Sequence, residues 1–172
     1  MRLQTITADD LASLGHLLPR SGVDLVRCVG LQAALALLNG LPGAVMTCPK
    51  TATANRHAMR RWGQLVQVLG SAQAMRALAE QYGGGPLEVP TCHQLRLEKR
   101  NRWLRDRFDA LTTAAGPGLS RNAAVYELGL ELVQAGQCMT HQGIENVLDN
   151  PGPAAAAARA GDARRAQATL FD

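Results

Sequence analysis

Residues 25–43, LVRCVGLQAALALLNGLPG, lie over residues 65–83, LVQVLGSAQAMRALAEQYG, at a constant offset of 40. Leu25, Val26, Gly30, Ala34, Leu38 and Gly43 then meet Leu65, Val66, Gly70, Ala74, Leu78 and Gly83. Once one Gly is inserted, AVMTCP at 44–49 faces GPLEVP at 85–90. Each unit reads helix, Gly break, amphipathic helix, Gly turn, short strand, Pro. Leu31, Leu35 and Leu38 in the first copy, and Ala74, Met75, Leu78 and Tyr82 in the second, recur every three or four residues and build one apolar helical face. Glycine at its end is a helix stop. A strand of three or four residues cannot stand alone. The strands expected at 45–48 and 87–89 therefore pair with each other as a pseudo-twofold, or with a second chain in a dimer. Closing a loop of about 40 residues costs less entropy than recruiting another molecule, which favours pairing within the chain.

Composition points the same way. The 172 residues contain 47% hydrophobic and 19% charged side chains, enough apolar mass for a packed core and too little length for a large multidomain enzyme. Only 3% are aromatic, Ile occurs at positions 6 and 144 alone, and Ala and Leu carry the rest. Such side chains lose little freedom in a helix, so the fold class is mostly α. The formal charge of +4 is compatible with an anionic partner, and nearly all the cations are Arg, which grips phosphate or carboxylate in bidentate fashion. The first ten residues lack the basic and apolar regions of a signal peptide, and no stretch is apolar enough to span a bilayer. A cytoplasmic location with reduced thiols at Cys28, Cys48, Cys92 and Cys138 follows as an expectation.

Downstream of Pro90 a helix is expected over 93–111, with Leu97, Leu104, Phe108 and Leu111 as its apolar line. Arg96, Lys99, Arg100, Arg102, Arg105 and Arg107 lie on it around Trp103, opposed by Glu98, Asp106 and Asp109. The stretch after Pro49 carries Arg56, Arg60 and Arg61 beside Trp62. Residues 114–119 form a Gly/Pro linker. Ser120 caps a helix over 121–134 with Val125, Leu128 and Leu132 inside, Gly136 breaks it, and Thr140 caps a short last helix with Ile144, Val147 and Leu148 inside. Helix, Gly-containing turn, short helix is the outline of a helix-turn-helix. The organisation read from the sequence is a helical repeat or dimerisation region over 1–113, with repeats at about 23–63 and 64–111 and one short two-stranded β element. After the linker come a helix-turn-helix-like pair over 120–150 and an Ala/Arg tail over 151–172, expected to be flexible.

The run Tyr82-Gly83-Gly84-Gly85-Pro86-Leu87-Glu88-Val89-Pro90, followed by Arg100-Asn101-Arg102-Trp103-Leu104-Arg105-Asp106-Arg107-Phe108 and that outline, resembles the Mor/C family of bacteriophage transcription activators. The resemblance is best over residues 72–108. It implies a DNA-binding transcriptional regulator of phage or prophage type, acting as a dimer on double-stranded DNA. It also assigns base reading to the helix after Thr140, where Thr140, His141, Gln142 and Asn146 can hydrogen-bond base edges. Phosphate contacts would come from Arg96, Lys99, Arg100, Arg102 and Arg107. Against this, 122–158 contains no Lys or Arg, while Glu127, Glu131, Glu145 and Asp149 make it acidic, and an acidic reading head is repelled by a duplex.

The opposing class is a non-enzymatic protein-interaction module. Its tail carries Gln167, Leu170 and Phe171, a Gln-x-x-Leu-Phe end that resembles the peptide by which replication and repair proteins engage the sliding clamp. No catalytic centre and no cofactor are expected. Cys92, His93, Cys138 and His141 are zinc-type ligands, yet adjacent Cys and His seldom address one ion, so no metal is expected. Gly83-Gly84-Gly85 lacks the Lys-Ser/Thr of a phosphate loop and reads as a turn before a strand.

Overall fold

The computed structural model describes residues 4–51, 56–114 and 116–150. Among these residues are eight α-helices, a short 3-10 helix (Gly15–Leu17) and one two-stranded sheet. The repeat accounts for most of them. In its first copy α2 (Arg20–Val29) breaks at Gly30, α3 (Leu31–Gly40) follows, and β1 (Val45–Thr47) ends the unit. In the second, α4 (Arg56–Leu69) breaks at Gly70, α5 (Ala72–Tyr82) follows, and β2 (Pro86–Glu88) ends it. Gly30 and Gly70 both take positive φ, +82° and +66°, where an L side chain would be strained.

The two strands pair antiparallel within the chain, Val45 with Glu88, Met46 with Leu87 and Thr47 with Pro86. They begin one residue earlier or end one residue sooner than expected, and Pro86, which has no N–H to donate, sits at the first strand position. The register makes the pseudo-twofold explicit, because Met46 pairs with its own counterpart, Leu87, and the other two pairs exchange across the axis. The hydrogen bonds obey the same operation. Gly43 N–H donates to the Val89 carbonyl at 2.9 Å, as Gly84 N–H does to that of Cys48 at 2.8 Å. Val89 N–H donates to Ala44 O, and Cys48 N–H to Gly85 O, both at 2.9 Å. Gly43 and Gly84 share positive φ, and a Cβ on either would meet a side chain at equivalent positions, Thr91 or Lys50.

The helices follow the axis as well: α2 packs on α3 and α5, while α4 packs on α5 and α3. Leu25, Leu37, Leu38, Leu65, Met75, Leu78 and Leu87 are sealed in one core. Leu31, expected on the inner face of α3, is instead 39% exposed, because Ala33, Ala34 and Leu37 turn inward at its expense. A short first helix, α1 (Ala8–Leu14), begins in a capping box between Thr7 and Asp10. Ahead of it the backbone of Ile6 is held by the Asn39 side chain, which accepts from Ile6 N–H and donates to Ile6 O, each at 2.8 Å.

The chain divides into two compact units, and the division falls inside α6 (His93–Thr112), between Leu97 and Glu98. This corrects the expected boundary at the 114–119 linker. The reason is apolar: Leu95 is buried with the repeat core, whereas Leu104, Phe108 and Leu111 pack with α7 (Arg121–Gln134) and α8 (His141–Asp149). Ala124, Val125, Leu128, Leu132 and Ile144 complete that second core. Ser120 and Thr140 cap α7 and α8 by accepting from the N–H groups of Ala123 and Gly143. Between the helices Gly136 takes φ +72°. No helix among the described residues is long and apolar enough to cross a membrane.

Candidate nucleic-acid interface

The cations of α6 are turned to internal work. Arg96 donates through Nε to Thr91 O at 2.9 Å and through a terminal nitrogen to Leu38 O at 2.8 Å. Leu38 O lies in the last turn of α3, where carbonyls lack an intrahelical partner, so the guanidinium serves as a helix cap. Lys99 is buried. Arg100 has its Nε buried without a hydrogen-bond partner, and burial holds its guanidinium below its ordinary pKa. Arg102 pairs with Glu98 at 3.4 Å. Arg105 reaches Glu98 and also the carbonyls of Val147 and Asn150, closing the C-terminal end of α8. Arg107 makes a bidentate pair with Glu131, 2.7 and 3.0 Å, which pushes the guanidinium pKa up.

The ion pairs and carbonyl contacts of Arg96, Arg102 and Arg107, and the burial of Lys99 and of Arg100 Nε, count against these five side chains as a free phosphate-binding row. A guanidinium already saturated by a carboxylate or a carbonyl must lose that partner before it can displace a counterion. The sequence showed the charges but not their acceptors, several of which lie tens of residues away.

Thr140, His141, Gln142 and Asn146 lie at the start and along the outer side of α8. Thr140 is committed to its cap, but His141, Gln142 and Asn146 are exposed. Gln142 donates to Asn146 Oδ1 at 3.3 Å, as expected for residues four apart on one face. His141 lies 3.6 Å from Glu145. Arg121 pairs with Asp149 at 2.7 Å and stands over the Phe108 ring. Residues 98–150 hold six cations against seven carboxylates, so this unit is close to neutral and slightly acidic.

A different stretch of the chain carries positive charge with no acid among it. From Leu25 to Ala79 the chain contains Arg27, Lys50, Arg56, Arg60, Arg61 and Arg76 and no Asp or Glu. On α4, His57, Arg60, Arg61, Gly63, Gln64 and Gln67 are all exposed. No carboxylate among the described residues lies within ion-pair distance of Arg60 or Arg61. The sequence signal was legible, a 55-residue interval without a carboxylate, but it is weaker to the eye than the crowded charges of α6.

A cleft of about 690 Å³ lies between the two interhelical breaks and is lined by both Gly30 and Gly70. No charged side chain lines it. Among the described residues no three His, Cys, Asp or Glu side chains cluster closely enough to hold a metal ion. The Gln167, Leu170 and Phe171 motif and the tail beyond Asn150 lie outside the described residues. Comparison with known proteins finds no family model, no curated protein and no solved structure that matches this chain.

Proposed function

We propose that the protein is a non-enzymatic, DNA-binding regulator of transcription that reads double-stranded DNA with α8. One observation carries the reading: a capped helix that follows a Gly-containing turn, packs its Ile144 side on α7 and presents Gln142 and Asn146 together to solvent. Amides on a single exposed helical face suit the donor and acceptor edges of adenine in a major groove. The resemblance to the Mor/C activators over residues 72–108 supports the same class. Strand pairing supplies no reason for a dimer, since β1 and β2 satisfy each other within one chain.

The test is selection from a random duplex library with the full chain, followed by titration of the enriched sequence. A defined enriched motif whose preference disappears in Gln142→Ala/Asn146→Ala supports the reading. Enrichment without a motif, or a motif that the double variant still prefers, removes α8 as the reader.

A specific observation favours the protein-interaction alternative. Tyr126, Leu130 and Val133 are 65%, 42% and 62% exposed and stand at helical spacing along the outer side of α7. An apolar stripe of this kind marks protein contacts more often than DNA contacts. Under this alternative Tyr126→Ser/Val133→Ser abolishes a protein complex and leaves any DNA binding untouched.

A further inference from the structure

We propose that the outer face of α4 is the surface on which this protein holds the phosphate backbone of duplex DNA. The inference rests on the DNA-binding reading but moves the electrostatic contact away from α6, where the sequence had put it. Four observations converge. Arg60 and Arg61 are exposed and have no carboxylate partner, whereas Arg102, Arg105, Arg107 and Arg121 each have one. Counterion release, the main source of duplex affinity, is open only to cations that are free to replace counterions.

The second observation is the face itself. Positions 57, 60, 61, 64 and 67 fall on one side of a 3.6-residue helix, so His57, Arg60, Arg61, Gln64 and Gln67 form a single arc with cations toward the N-terminal end and amides toward the C-terminal end. Unlike Gln142 and Asn146 in α8, Gln64 and Gln67 hold no hydrogen bond to each other or to another described residue. The third is Gly63, exposed at the edge of that arc beside Gln67, with nothing within 4 Å of where its Cβ would stand. Glycine inside an exposed helix weakens it, but the missing side chain lets another backbone approach closely.

The fourth comes from the pseudo-twofold. Across it α4 corresponds to α2, and Arg60, Arg61, Gln64 and Gln67 correspond to Arg20, Ser21, Asp24 and Arg27. Both sides therefore carry two arginines at these four positions, but only α2 adds a carboxylate, Asp24, so the α4 arc is the more positive of the two. All four α4 residues face outward.

The experiment is a fluorescence titration of a fluorescent random-sequence B-form duplex with the full chain at about 50 and about 200 mM salt. Arg60→Glu/Arg61→Glu is compared with Arg102→Gln/Arg107→Gln, and thermal melting of each variant confirms folding. The expected result is a loss of about tenfold or more at low salt in the α4 variant, and a salt slope shallower by roughly two phosphate contacts. The α6 variant keeps the wild-type slope. Wild-type binding that the α4 variant retains in full overturns this inference and leaves the DNA-binding reading standing. No wild-type binding at low salt overturns both. Equal affinity for double-stranded RNA, whose A-form backbone is spaced differently, also overturns the commitment to DNA and assigns the face to polyanions in general.

Discussion

Cys48 and Cys92 are fully enclosed and Cys28 half-buried, and burial pushes all three thiols above their ordinary value of 9.0. Cys138 alone is exposed. Native protein treated with a thiol reagent is expected to show one fast-reacting group, lost in Cys138→Ser, and slow groups that react at the rate of opening. The buried thiols also set a pH dependence. In alkali the unfolded chain ionises its thiols first, so it binds fewer protons than the folded chain, and stability falls as pH rises through and beyond 9.0. Urea midpoints at about pH 8 and about pH 10 check this, and the difference should shrink in Cys48→Ala. Arg96 offers a second residue-scale test. Arg96→Met removes two charge-assisted bonds, one of them to the otherwise uncapped Leu38 carbonyl, and is expected to destabilise the fold by about 1–3 kcal/mol. Nothing near Arg96 in the sequence announces that role, because the Leu38 acceptor is 58 residues away. A charge count sees a cation, and only tertiary structure reveals whether it faces water or a carbonyl.

Among the elements, α4 and α8 sit at opposite ends of what the sequence made readable. The α8 start was legible from Thr140, whose hydroxyl accepts from Gly143 N–H at 3.1 Å, and Thr140→Ala should cost about 1 kcal/mol in a chemical melt. The cations of α4 were visible beside Trp62 but were given no role, since what sets them apart is an absence of acids and an outward orientation that only packing fixes. Gly63→Ala is the informative change there. With open space around the site and helical backbone on both sides, it should raise stability by about 0.5–1 kcal/mol. If the arc meets a phosphate backbone, the same variant binds duplex DNA less tightly, so a higher melting temperature accompanies a weaker titration. The interior positions of α7, Val125, Leu128 and Leu132, were legible from spacing alone, because a buried helical face must repeat every three or four residues. Leu31 failed by the same rule: it opens its helix at a break, and Ala33 and Ala34 in that first turn take the inward side instead.

At the scale of the whole molecule, the alignment at offset 40 was enough to foresee two equivalent units joined by a pair of strands. It could not foresee that the second core would claim the latter half of α6, because a continuous 20-residue helix carries no mark where its packing partner changes. The exchange of helix partners across the axis gives a direct test. Since α2 packs on α5 and α3 on α4, a chain cut between residues 51 and 56 should reassemble from its two pieces, and neither piece alone should melt cooperatively. Independent folding of the first piece would show that the units do not depend on each other. The axis has one more effect. Where two identical chains meet about a twofold, every change in the gene is made twice, and neither side can gain or shed a charge without the other. With both sides written in one chain each can change by itself, and so Asp24 and Gln64 can occupy equivalent places in a symmetric scaffold and meet different surroundings.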